Sequence, residues 1–259
     1  MKFAATLLLA LTVLVPFYFL SNGTFYLSDS SLSGLAFDKN SAAAQYVTHL
    51  LSHVGLAHLL GNILPLIAFG LVLEQIVGSL SVIALFLASG IISSVVFAVL
   101  NPAVVLVGAS TGVAGLMAAT TLVKPKRALV LLLLIPIVLL LVPPAASFFN
   151  SIQLNSLELQ NSSLSQQVAI LTIQNKTQEA ARANQTLQKV QIVFQETKKG
   201  IEREKVTPTD TLVHMLGAVL GALFVLAFHR QAVRKGLNDF ESMGRSMREL
   251  EEKLLKKRK

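Results

Sequence analysis

The sequence predicts an all-α membrane protein: six transmembrane helices in one bundle, with a large extramembrane helical insert between helices 5 and 6. Three observations carry this. The 259 residues are 53% hydrophobic and 14% charged, with a mean hydropathy of +0.63, a balance foreign to soluble domains. Several apolar runs approach or exceed the ~20 residues that span a bilayer. One long polar stretch, 145–208, interrupts them late in the chain. The net charge of +8 gathers in the C-terminal tail and in Lys124–Pro125–Lys126–Arg127, which favours lipid headgroups over nucleic acid as the charged partner. Cysteine is absent, excluding disulfides and thiolate metal sites. No metal or cofactor is expected.

Taken in order, Ala4 to Leu20 is the first apolar run. No A-x-A pattern follows it, so it reads as a retained span rather than a signal peptide. Ser21 to Ala44, rich in Ser, Gly, Asp and Asn, reads as a loop. Val54 to Leu73 is the second span, with Tyr46 to His53 leading in, and Glu74 to Gly78 reads as a polar turn. Val82 to Leu100 is the third span, broken by Asn101–Pro102. Ser110 to Val123 is the fourth, and Ala128 to Val142 the fifth, ending at Pro143–Pro144. Pro136 inside it is tolerable because neighbouring helices can satisfy the freed carbonyl.

The composition then changes abruptly. Leu157, Leu164 and Leu171 recur every seven residues with Val168 between, as in a long amphipathic helix or a short coiled coil. Thr211 to Phe228 is the sixth span, and Arg230 onward a mixed-charge helical tail. Residues 1–144 thus hold five spans, 145–208 an extracytoplasmic insert, 209–229 the last span and 230–259 a basic cytoplasmic tail. Six spans put both termini on one side, together with Lys124, Lys126, Arg127 and the tail. The positive-inside rule makes that side cytoplasmic. The N-x-S/T sequons at Asn22, Asn161, Asn175 and Asn184 then all fall outside. The expected location is a cell membrane of prokaryotic type.

Ionisable or strongly polar residues in spans are functional candidates by default. His49, His53, His58 and Asn62 gather at the entry to the second span, Glu74 at its exit, Ser110 at the head of the fourth and His214 near the start of the sixth. His58 and Asn62, four apart, share a helix face. Each also has a plain structural reading. His49 and His53 can cap a helix, Glu74 can satisfy turn amides, Ser110 can be an N-cap, and His214 can bond a loop carbonyl. Together they suit acyl transfer. A serine hydroxyl needs a base, and neutral imidazole with a pKa of about 6.5 suits. The oxyanion needs donors, which a helix N-terminus, an Asn amide and a His ring supply. No carboxylate stands out to orient His214, so the pair is a dyad. Gly217 and Gly221 form a G-x-x-x-G face below His214, and Gly112 and Gly115 line the fourth span. Such faces let two backbones approach closely.

The ordered set His49-x-x-x-His53-x-x-x-x-His58-x-x-x-Asn62, Glu74, Gly108-x-Ser110 and His214-x-x-Gly217-x-x-x-Gly221 resembles the rhomboid family of intramembrane serine proteases across spans two to six. The resemblance implies a serine endopeptidase acting on transmembrane protein substrates in the bilayer. Ser110 would be its nucleophile and His214 its general base. His58, Asn62 and Gly108 would belong to the oxyanion hole, with His49, His53 and Glu74 mainly structural. Thr111 departs from the family's G-x-S-G, Ala114 replaces its usual aromatic, and the Trp-Arg motif of its first outer loop is missing. The resemblance offers no precedent for the enlarged fifth loop; it is expected to be a partner, substrate or self-association module, or equally a solvated helix packing on its own protein. An inactive rhomboid-like protein that binds transmembrane clients is the alternative reading. A His-lined channel ranks last, for want of an inverted repeat.

Overall fold

Glycine breaks and a buried carboxylate help set where the apolar runs of this chain start and stop as helices. A computed structural model describes residues 3–206 and 211–257. Among these the chain is helical throughout: α1 (Ala4–Leu20), α2 (Asp29–Leu35), α3 (Gln45–Leu51), α4 (Leu56–Val77), α5 (Ser79–Leu100), α6 (Ser110–Val123), α7 (Pro125–Leu139), α8 (Val142–Ile173), α9 (Thr177–Val206), α10 (Thr211–Phe228) and α11 (Arg230–Lys257). Four stretches are long and apolar enough to cross a membrane: α4, α5, the run Pro125–Ile173 through α7 and α8, and α10. Two shorter apolar helices, α1 and α6, accompany them.

The core lies where α4, α5, α6 and α10 meet, with α1 on its flank. Phe69, Phe86, Leu66, Leu73, Leu85 and Leu116 are fully enclosed there. By contrast α7 buries only Pro125 and Ala128; its leucines face outward, as an apolar helix in lipid permits. The closest approach is between α6 and α10. A side chain on Gly217 would overlap the carbonyl of Thr111, and one on Gly221 the carbonyl of Gly115. On the other side of α6, Gly112 lies against Phe86 and Gly115 against Ser89. The four glycines therefore let α6 sit backbone-close to α5 and α10 at once.

Several expected boundaries shift, each for a local reason. Glu74 is not in a turn: α4 runs on to Val77 and breaks only at Gly78, whose φ of +83° suits glycine. Nor does its carboxylate serve its own turn. It accepts hydrogen bonds from the Ala5 and Thr6 amides (both 2.9 Å) and from the Thr6 and Ser79 hydroxyls (both 2.6 Å). It thereby caps the N-terminus of α1 from another helix. The early loop contains α2, whose N-cap Ser28 accepts from the Ser31 amide. Pro143 and Pro144 do not end the helical path but occupy the first turn of α8, where proline's missing N–H costs nothing.

The polar insert is a pair of antiparallel helices, α8 and α9, turning at Gln174–Lys176 with Asn175 at φ +56°. Leu154, Leu157, Leu164, Val168 and Leu171 are half-buried on α8. Ala183 and Leu187 are buried on α9, with Ala180, Val190 and Phe194 half-buried on the same face. The three- and four-residue spacing on both is that of a coiled coil. Asn161 of α8 shares a cleft with Gln188, Gln191 and Gln195 of α9, so that sequon faces the partner helix. The expected 208–209 boundary with the last span lies outside the described residues.

The bundle has two distinct ends. Ala5, Glu74, Ser79, Lys124 and His229 stand at one, tied by the Glu74 bonds, by Arg127 to Gln75 (3.4 Å) and by His229 to Ser81 (3.1 Å). There α11 passes under α6, with Gly236 against the carbonyl of Leu122. At the other end lie Tyr26, His58, Gly108, Ser110 and the root of the α8–α9 hairpin.

Candidate active site

Backbone breaks at this second end bring the sequence-selected residues together. Asn101–Pro102 stops α5, and the following loop pairs its Leu106 with Phe37 through two backbone bonds (2.9 and 2.8 Å). It then turns at Gly108, φ +111°, and enters α6 at Ser110. Gly108 is required twice. The φ lies in glycine's region, and a Cβ there would sit 2.7 Å from His58 Nε2. The same Cβ position is 3.9 Å from Asn62 Nδ2. His58, Asn62 and Gly108 therefore form one cluster beside Ser110.

The donors of this cluster are already sorted. The Gly108 amide donates to the His49 carbonyl (2.8 Å), so Gly108 provides space rather than an oxyanion donor. Asn62 Nδ2 gives one hydrogen to the His58 carbonyl (2.8 Å) and keeps a second. The N-cap of α6 is Ala109, which offers no side-chain acceptor. Ser110 is thus the first helical residue and does not cap its own helix. The early amides of α6 have no acceptor within the helix.

His49, on α3, and His53, in the link between α3 and α4, brace this cluster. His49 Nδ1 bonds the Gln45 carbonyl (2.8 Å) and so carries the hydrogen; its Nε2 then accepts from the Ser94 hydroxyl (2.9 Å). Burial lowers its pKa from 6.5 to about 4. The Ala109 amide donates to His53 Nε2 (3.4 Å), and the His53 ring meets His58 edge-on at 5.0 Å. Burial, and then the neighbouring His58, lower its pKa to about 3. Both imidazoles are neutral struts at physiological pH.

Ser110 and His214 approach through their helices. Thr111 rests on Gly217. His214 is one turn before Gly217, which puts it level with the head of α6. Among the described residues Ser110 and His214 make no hydrogen bond to each other. Thr111 is turned away from the cluster: its hydroxyl reaches the Gly90 carbonyl of α5 (3.5 Å), and it is buried. The threonine therefore packs between helices rather than filling the space in front of Ser110.

One participant escaped the sequence reading. The Glu204 carboxylate, at the end of α9, accepts a hydrogen bond from the His58 amide (2.9 Å). Periodicity placed the insert as a separate module, and nothing in the sequence marks a contact across so long a separation.

Comparison with known proteins finds a likeness to the family that the motif set resembles. Residues 40–161 match the model of the Rhomboid domain, a range that contains His49 to Ser110 and stops before His214. A curated relative, Rhomboid-related protein 2 of Mus musculus, is 35% identical over 80 residues, which cover 31% of this chain and 26% of that protein. The chain thus spans about a quarter of the length of that relative. No solved structure matches. The His–Asn–Gly cluster at the head of α6 accordingly lies within the residues that match the Rhomboid domain model.

Proposed function

We propose that the protein is an intramembrane serine protease, hydrolysing peptide bonds in or near transmembrane segments with Ser110 and His214 as its dyad. One observation carries the reading: His58, Asn62 and the uncapped start of α6 converge beside Ser110 while glycines hold α6 against the His214 helix. In the reaction, His214 takes the Ser110 proton as the hydroxyl oxygen attacks the scissile carbonyl. The oxyanion forms against the early α6 amides, the free hydrogen of Asn62 and the His58 ring. His214 then protonates the leaving amine, and water hydrolyses the acyl-enzyme by the reverse proton path. The missing Ser110–His214 bond is compatible with this, because catalytic hydrogen bonds often tighten only around substrate.

The same gap favours a second reading, a rhomboid-like protein that binds transmembrane clients without cutting them. A fluorophosphonate probe separates the two. Labelling of wild type that disappears in both Ser110→Ala and His214→Ala supports the protease; well-folded wild type that never labels supports the binder.

Six spans, a cytoplasmic side for both termini and a prokaryotic cell membrane belong to the same proposal. The common end shared by Ala5, Lys124 and His229 supports the topology, and the basic residues gathered there support the orientation. Exposed Leu159, Ile170 and Ile192 on the hairpin offer a surface for a partner or a second copy.

A further inference from the structure

We propose that Glu204, in the insert, is a positioning residue for the oxyanion side of the site, so that the α8–α9 hairpin is a working part of the catalytic unit rather than an appended module. This rests on the protease reading above.

The hairpin is built onto the outer end of the bundle by a specific set of contacts. Tyr26, in the loop after α1, is buried and its backbone pairs with Gly55. Its ring lies in a notch at Gly200 of α9, where any side chain would collide with it. Its hydroxyl takes a bond from Asn150 Nδ2 of α8 (2.5 Å). Burial, and next the Glu204 carboxylate, push its pKa upward. Gln153 bonds the Gly23 carbonyl (2.8 Å), and Arg203 bonds the Leu27 carbonyl (2.9 Å) and the Asp29 carboxylate. Both helices of the hairpin therefore grip one loop.

That grip delivers Glu204 to the start of α4. The N-cap of α4 is Gly55, which has no side chain to cap with. A Cβ on Gly55 would sit 2.6 Å from the Tyr26 ring and 2.7 Å from the Glu204 carboxylate, so glycine here makes room for both. The carboxylate takes the amide of His58, the third residue of the helix, which is the donor a capping side chain ordinarily satisfies. An anion there also complements the helix dipole. His58 supplies a ring to the cluster and a carbonyl that holds Asn62 (2.8 Å). Fixing its backbone fixes both. Glu74 does the same for α1, which shows the device used twice in one chain.

The test uses the full chain in liposomes with a model transmembrane substrate. Glu204→Ala is expected to lower kcat roughly tenfold, with KM changed less than about twofold. Glu204→Gln keeps an oxygen for the His58 amide and is expected to restore most of the rate. Lys205→Ala, whose ammonium pairs with Glu202 on its own helix, is expected to match wild type. Amide exchange at residues 57–59 should rise in Glu204→Ala and not in Glu204→Gln. In a His58→Ala background, Glu204→Ala should cost less than it does in wild type, because only the hold on Asn62 is left to lose. Equal losses in both backgrounds, or a fully active Glu204→Ala, overturn the proposal. A wild type that cleaves nothing removes the protease reading as well. A wild type that cleaves, with Ser110→Ala dead and Glu204→Ala unchanged, removes this proposal alone.

Discussion

At the scale of single residues, the site depends on imidazoles whose protonation is fixed by where they sit. His49 and His53 are neutral because burial lowers their pKa to about 4 and about 3. Above pH 6.5 both the folded and the unfolded chain hold them neutral, and their contribution to stability is fully present. As pH falls from 6.5 toward 4, the unfolded chain takes up protons that the folded one refuses, so that contribution is lost. Wild type should therefore melt at progressively lower temperature across this range, and His49→Gln should show a shallower decline in the same detergent. Equal slopes would contradict the assignment of neutral struts. The His58–Asn62 pair was legible in the sequence because a spacing of four on a helix leaves little choice of face. The hold of the His49 carbonyl on the Gly108 amide was not, because no side-chain motif reports a backbone acceptor. The plain reading of Ser110 as an N-cap fails for an equally local reason: the helix starts one residue earlier than that reading needs.

Elements were legible where apolar period and breaker residues agreed. Asn101–Pro102 and the Thr211–Phe228 run read directly onto the structure. The reading of Glu74 as a turn residue missed because a charge in an apolar run looks like a boundary. Here four donors from α1 and Ser79 hold the carboxylate inside the fold instead. The heptad leucines of the insert left a long amphipathic helix or a short coiled coil open and did not mark a partner, since α9 uses Ala183, Leu187 and Phe194 with many polar residues between. The hairpin's attachment depends on one notch. Gly200→Val places a side chain against the Tyr26 ring, and overpacking of this kind costs about 1–3 kcal/mol. Proteolysis of the loop 21–29 in that variant should be clearly faster than in wild type, with α4 to α6 still protected. Unchanged proteolysis would show that Tyr26 does not hold the hairpin.

For the whole molecule, the account joins a membrane bundle to a long outer hairpin; α8 alone has 32 residues, roughly 48 Å of helix. The bundle's core involves α1, α4, α5, α6 and α10, and the hairpin meets it through the loop after α1 and the start of α4. Deleting about Ser151 to Lys205 should therefore leave a monodisperse, folded core while lowering cleavage, because Glu204 leaves with it. Aggregation of the deleted chain on size exclusion would show that the hairpin is needed for folding itself. The central claim concerns the two residues whose helices the glycines press together. It is tested most directly by cleavage of a model transmembrane substrate in liposomes by wild type, Ser110→Ala and His214→Ala. The account predicts cutting by wild type and a loss of about a thousandfold or more in each variant. Cutting that survives in either variant, at a rate near wild type, would contradict it.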